Sequence, residues 1–545
     1  MSTTSIGADD MRSRAIADIR AALASGDLSR ATEIADFTIR RGVRDPQLYQ
    51  IRGRCLHDAG RYEEAIADYR RAMPSPRQDP AILGGIGACL LKLERLRQAL
   101  EAFDAGLAIN PKSPELHYHR GLALAMDGHH DDAARAYERA IALAPNYADP
   151  LSNLASIAAR KGDPRTEGLA RRALRLNPQA PMAKIALAML DMKNQNFAKA
   201  EQALRSLLAE GTLASSARAS AQSLLADTLD GQGRYAEAFA IYSDVNRKLR
   251  DKNAERFPRR GVESANHLIA YFEQTSAARW SAADPPAASP DGPAEHVFLL
   301  GFVRSGTTLL EQVLGSHPNV IALEEKGLLS GLDDRFLTSN IALESLASLS
   351  ARELADCRET YWQRVRTMAE NVAGKVLVDK QPLNSVKLPL ISKLFPTAKI
   401  LFALRDPRDV VLSCFRRQFK INLAMFEFLS LSDTAEFYAA VMQLAELYRA
   451  KLPLHVMDHR YEDLVQDFEG QVRKICAFIG LEWADEMRQF NKLAPAVDLR
   501  SPSATQVTRP LYAEGAGHWR NYAEQLAPVL PVLDRWVRKF GYSHD

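Results

Sequence analysis

The chain is 545 residues long, enough for two or three domains that each bury a core without help from metals or disulfides. Its 70 Lys and Arg against 67 Asp and Glu leave a formal charge of +3, which excludes a general nucleic-acid binder whose affinity rests on phosphate neutralisation. The five cysteines, Cys55, Cys89, Cys357, Cys414 and Cys476, are scattered with no C-x-x-C pair, which argues against a zinc or dithiol site and fits a cytoplasmic protein.

The first residues carry no charged segment followed by an apolar one, so no secretory signal is expected. Apolar runs such as Val297 to Val303 fall far short of the roughly 20 residues that cross a bilayer, so no membrane span is expected either. The first half repeats itself. Ala31, Ala65, Ala99 and Ala133 recur every 34 residues, each preceded by a similar frame: Gly26-Asp27-Leu28, Gly60-Arg61-Tyr62, Glu94-Arg95-Leu96 and Gly128-His129-His130. Tyr69, Phe103 and Tyr137 keep the same step, and the pattern continues less regularly through Phe197-Ala198-Lys199-Ala200 and Gly233 to Ala238. Apolar spacing of three to four residues with a glycine at most of the stops predicts paired amphipathic helices, and such hairpins must stack to bury both faces. The pattern resembles the tetratricopeptide repeat (TPR) family over about residues 10–250. That resemblance implies an all-α superhelix at 1–250 that docks a peptide or protein partner, with self-association into a homo-dimer as the competing use.

From 251 to 294 the period fades into a Pro- and Ala-rich stretch, Ser281 to Pro293, which reads as a connecting segment. A second domain follows at 295–545. Val297 to Gly301 reads as a buried parallel strand that runs into Arg304-Ser305-Gly306-Thr307-Thr308 and then a helical pattern. A strand, a tight loop and a helix start make an anion site, because backbone N–H groups converge, Gly306 permits close approach and hydroxyls add donors. The loop is not GxxxxGK[ST], since no lysine precedes the threonines, which disfavours a nucleoside-triphosphate kinase.

A second strand, Lys399 to Leu404, runs into Arg405-Asp406-Pro407-Arg408-Asp409, with Ser413 eight residues after Arg405. Two helical turns bring Ser413 back toward Arg405, so this pair is suited to a second phosphate, while Arg408 and Asp409 read as first-turn surface residues. His317 reads as a turn histidine, Glu462 as a capping group, Trp519 as a packing or lid residue, and Phe402 and Phe415 as core.

The two loops, together with Arg304 to Leu309, Ser316-His317-Pro318-Asn319 and Glu324-Glu325, resemble the sulfotransferases that use 3′-phosphoadenosine 5′-phosphosulfate (PAPS), and the tyrosylprotein sulfotransferases in particular. The resemblance implies a P-loop-like α/β domain with a central parallel sheet, so that the whole chain is α + α/β. It implies that Glu325 is the general base, with Glu324 less secure, and that Arg304 and Lys380 stabilise the transferring group. Ser305, Gly306, Thr307 and Thr308 would wrap the 5′-phosphate, Arg405 and Ser413 would hold the 3′-phosphate, and Ser503 and Arg509 would close over the nucleotide. Sulfuryl transfer moves less charge than phosphoryl transfer, so no metal is expected. Two departures leave the acceptor open. Lys326-Gly327 stands where the tyrosylprotein pattern has Thr-Arg, and Val303 replaces a proline before Arg304. A tyrosine hydroxyl leads, with a carbohydrate, a lipid or a small phenol as alternatives. The rival from another class is a TPR scaffold whose sulfotransferase-like domain binds nucleotide without catalysis.

Overall fold

The computed structural model describes residues 3–73, 79–211, 213–281, 292–493 and 515–543. It divides into two compact units, Met1–Leu190 and Asp191–Asp545.

In the first unit the 34-residue period is a period of helix starts and of ring-on-glycine contacts. Pro46, Pro80 and Pro114 each open a helix, behind Asp45, Asp79 and Ser113, whose side chains accept hydrogen bonds from first-turn amides. Ala31, Ala65, Ala99 and Ala133 are completely buried. The rings of Tyr69, Phe103 and Tyr137 lie against Gly53, Gly87 and Gly121, where a Cβ would come within 3.0, 2.4 and 2.5 Å of them. The result is a helical TPR array whose buried residues form successive clusters along it.

The second unit holds an α/β domain with a five-stranded, all-parallel sheet. The strands are β1 (Glu295–Gly301), β2 (Val320–Glu324), β3 (Val376–Lys380), β4 (Lys399–Leu404) and β5 (His455–Arg460), in the spatial order β2-β3-β1-β4-β5. Successive residues point to opposite faces. Val297, Leu299, Val376, Val378 and Leu401 therefore pack on one side with the Thr307–Gly315 and Phe468–Ile479 helices, while Phe298, Leu300, Leu377, Ile400 and Phe402 pack on the other. Both faces of β1 and β4 are covered, which is why these two strands read as apolar runs.

The stretch expected as a connecting segment is, over 261–280, part of this core. The Gly261–Gln274 helix and Trp280 bury Leu268, Tyr271, Phe272 and the indole against the sheet's helical layer. The sequence conceals this because the segment has lost the repeat period without taking up an αβ alternation.

Two further helices of the second unit, Ser215–Gly231 and Tyr235–Asn253, end the repeat pattern and grip the Pro407–Arg416 helix. Asp230 takes Arg416 Nη2 at 2.7 Å and His518 Nε2 at 3.1 Å, and it accepts a further hydrogen bond from the Tyr522 hydroxyl. Asp227 pairs with Arg417 at 2.9 Å, and Asn246 donates to the Phe415 carbonyl at 2.8 Å. Burial works to raise the Asp230 pKa, but its donors and the Arg416 charge outweigh burial and pull it down to about 2. A fragment beginning at Asp191 should therefore fold. One beginning at residue 251 strips Arg416 of its carboxylate and should lose about 3–5 kcal/mol, read as a lowered urea midpoint or aggregation beside the longer fragment.

Candidate functional site

All five strands run the same way, so their carboxyl ends share one edge. Register places Glu324 and Leu299 on either side of Lys380, and Gly301 beside Ala403. Along this edge the order is the Glu324-Glu325 pair, Lys380, the loop after β1, and Arg405. Ligands gather at such an edge where the strand order reverses.

The loop after β1 turns sharply. Gly301 lies at φ +149°, where a Cβ would sit 2.5 Å from the Ala403 carbonyl oxygen. Gly306 caps the Thr307–Gly315 helix at φ +92°, and a Cβ there would meet the Tyr461 ring at 2.7 Å. The first-turn amides of this helix and the dipole behind them face this loop. Arg304 takes the left-handed conformation at φ +71°, which costs a non-glycine residue about 1–3 kcal/mol. Its Nε donates to Ser413 Oγ at 2.9 Å, and its carbonyl accepts from Arg405 Nη1 at 3.1 Å.

Arg405 is partly satisfied. One terminal nitrogen also donates to the Gly515 carbonyl and the guanidinium lies 4.9 Å from the Tyr461 ring centroid, yet its buried Nε has no hydrogen-bond partner among the described residues. A buried guanidinium N–H beside the first-turn amides of a helix suits an anionic group.

Beyond β3 the charges concentrate. Lys380 is fully buried, and its Nζ lies 2.9 Å from Glu325 Oε1, 3.2 Å from Glu311 Oε2 and 3.4 Å from Glu324 Oε1. Burial works against the ammonium, but the three carboxylates outweigh it and hold the Lys380 pKa above the ordinary lysine value. Of the three acids, Glu324 and Glu311 are buried, and only Glu325 keeps a third of its side chain exposed. The Glu325 amide donates to the Lys380 carbonyl at 2.8 Å, and its φ of +46° turns it away from the end of β2. It is the carboxylate that an outside molecule can reach.

Arg304, Ser413 and Arg405 thus come together, as do Lys380 and Glu325. Ser305, Thr307 and Thr308 line the buried loop between the two groups. Ser503 and Arg509 lie outside the described residues. Glu311 went unread in the sequence, although one signal was there: it is a lone acid in the apolar run Leu309 to Leu314.

Arg408 and Asp409 correct the expectation of surface residues, being 3% and 2% exposed. Asp409 accepts from the Gly517 and Trp519 amides at 2.6 and 2.8 Å. Arg408 pairs with Asp406 at 2.7 Å and stacks 3.8 Å from the Trp519 ring centroid. The C-terminal segment covers this helix start, a cover no local pattern reveals. His317 serves its own turn, its Nδ1 accepting from the Asn319 amide at 3.0 Å. Glu462 is a support, accepting from the Asp406 amide at 3.1 Å and the Tyr542 hydroxyl at 2.7 Å.

The second unit thus holds an α/β domain whose parallel sheet carries a loop at a helix start, two arginines and a lysine–carboxylate cluster at its carboxyl edge. Residues 296–485 match the sulfotransferase family, and residues 17–80, 90–148, 126–181 and 185–248 match the tetratricopeptide repeat. The chain joins N-terminal TPR repeats to a sulfotransferase-family domain distantly related to the protein-tyrosine sulfotransferases. Protein-tyrosine sulfotransferase 1 of Danio rerio is 26% identical over 267 residues, covering 44% of this chain and 71% of that protein. The protein-tyrosine sulfotransferase of Drosophila melanogaster is 28% identical over 258 residues, 44% of this chain and 51% of that one. An uncharacterised protein of Aquifex aeolicus (strain VF5) matches over 382 residues at 24% identity, covering 67% of this chain, which spans 47% of that protein's length.

Proposed function

We propose that the C-terminal domain transfers the sulfuryl group of PAPS to an acceptor hydroxyl, with protein tyrosine as the leading acceptor and the TPR array as the docking platform for the acceptor or a partner. The observation that carries this reading is the pairing of Lys380 with Glu325 at 2.9 Å on the same sheet edge as the Arg304–Ser413–Arg405 group. The nucleotide, when bound, supplies the sulfuryl group and a phosphate leaving group. Ser305 to Thr308 and the helix amides behind them hold the 5′-phosphate, and Arg405 with Ser413 holds the 3′-phosphate. Arg304 and Lys380 face the oxygen on which charge develops, and Glu325 takes the proton of the acceptor hydroxyl. The relatives named for tyrosine sulfation support that acceptor.

Isothermal titration provides the test. 3′,5′-phosphoadenosine (PAP) is expected to bind more tightly than ADP or ATP and to need no Mg²⁺. Equal binding of all three, or a Mg²⁺ requirement, would overturn the reading.

A further inference from the structure

An ammonium has three hydrogens and no acceptor. Around Lys380 stand three carboxylates, within 2.9, 3.2 and 3.4 Å of Nζ; Glu325 and Glu324 accept its hydrogen bonds, and Glu311 pairs with it by charge. If all three acids are ionised, two negative charges remain uncompensated in a site that must receive an anionic nucleotide. One of the acids has to give way. Glu325 reaches solvent and takes the closest hydrogen bond, whereas Glu311 is 3% exposed and its Oε2, though near the ammonium, makes no hydrogen bond.

The elements packed against Glu311 offer it no other compensation among the described residues. From β2 and the residue after it come Glu324 and Glu325, and from β3 comes Lys380. Asp379 turns to the opposite face and accepts from the Tyr361 hydroxyl. The acid of β1, Glu295, is paired with Lys399. On the Asp485–Gln489 turn, Asp485 and Glu486 are exposed and Arg488 pairs with Glu469.

We propose that Glu311 is a positioning residue for Lys380: as a neutral acid it leaves the ammonium charge to the donor nucleotide, and as a carboxylate it holds that charge to itself. This rests on reading the edge as a PAPS site. Nucleotide binding to the ionised form then takes one proton from solvent onto the Glu311 carboxylate, while the Lys380 ammonium exchanges its ion pair with that carboxylate for one with a phosphate oxygen. Burial pushes Glu311 up to about 8, with Glu324 and Glu325 adding to the rise and Lys380 opposing it, so the neutral form prevails below that pH and is lost above it.

The test is titration of the full chain with PAP between pH 6.5 and 9.5, for wild type and Glu311→Gln, the isosteric neutral form. For wild type the Kd should rise about tenfold per pH unit above about 8. Glu311→Gln should lack that rise and bind about tenfold more tightly than wild type at pH 9. Wild-type titrations at pH 9 in two buffers of different ionisation enthalpy should show uptake of about one proton. If PAP binds both proteins with the same pH dependence, the Glu311 proposal is overturned and the nucleotide reading stands. Absence of PAP binding at every pH would overturn the nucleotide reading itself. Should Glu311→Gln fail to fold, the wild-type proton count decides alone, and no uptake at pH 9 rejects the proposal.

Discussion

Lys380→Met is expected to lower the stability of the fold by about 3–5 kcal/mol and to abolish sulfuryl transfer. Methionine matches the lysine stem in length, so the loss is electrostatic rather than a cavity. The lysine is fully buried among Glu311, Glu324 and Glu325, and without its charge Glu324, and above about pH 8 Glu311 as well, must take up a proton or open the site to water. The sign with pH follows. Carboxyls forced neutral in the fold have pKa values raised above their unfolded ones, so their contribution is harmless in acid and grows more destabilising as pH rises toward the folded value. Urea unfolding should therefore show a larger deficit at pH 8 than at pH 5. Adding Glu311→Gln should recover part of the stability and none of the activity. A deficit of only a few tenths of a kcal/mol, as for a surface lysine, would mean that the cluster does not exist in solution.

Glu325→Gln is expected to reduce transfer of labelled sulfate from PAPS by about 10²–10⁴-fold while leaving PAP binding close to wild type. The amide keeps an oxygen for the Lys380 contact at 2.9 Å, so the cluster survives, but it cannot take a proton from the acceptor. Glu325 is singled out among the three acids by its access to solvent and by a backbone turn that costs energy to hold. Incorporation from PAPS into host-lysate acceptors, run beside PAP titration, separates catalysis from binding. Full activity in this variant would assign the base to another residue.

What the sequence disclosed was what local patterns encode. The TPR array was legible because Ala31, Ala65, Ala99 and Ala133 must be small in every copy, and the parallel sheet because strands covered on both faces read as apolar runs. Arg304 and Arg405 were legible because each stands where an apolar strand gives way to a charge, and Lys380 through the resemblance to PAPS-dependent sulfotransferases. Long-range cover was not. Arg408 and Asp409 sit in a first helical turn that looks solvated until Gly517 and Trp519 close over it from more than a hundred residues away. The burial of Trp280 and Phe272 was hidden likewise, since the 34-residue period ends before either and no αβ alternation has begun.

The grip of Asp227 and Asp230 on Arg417 and Arg416 bears on how such chains can be recombined. The last repeat hairpin belongs structurally to the α/β domain, so a chimaera that exchanges arrays between relatives tolerates a junction before Asp191 far better than one at the end of the repeat pattern. Upstream repeats are free to diversify toward new docking targets, while this hairpin is bound to diverge in step with the Pro407–Arg416 helix that carries Ser413.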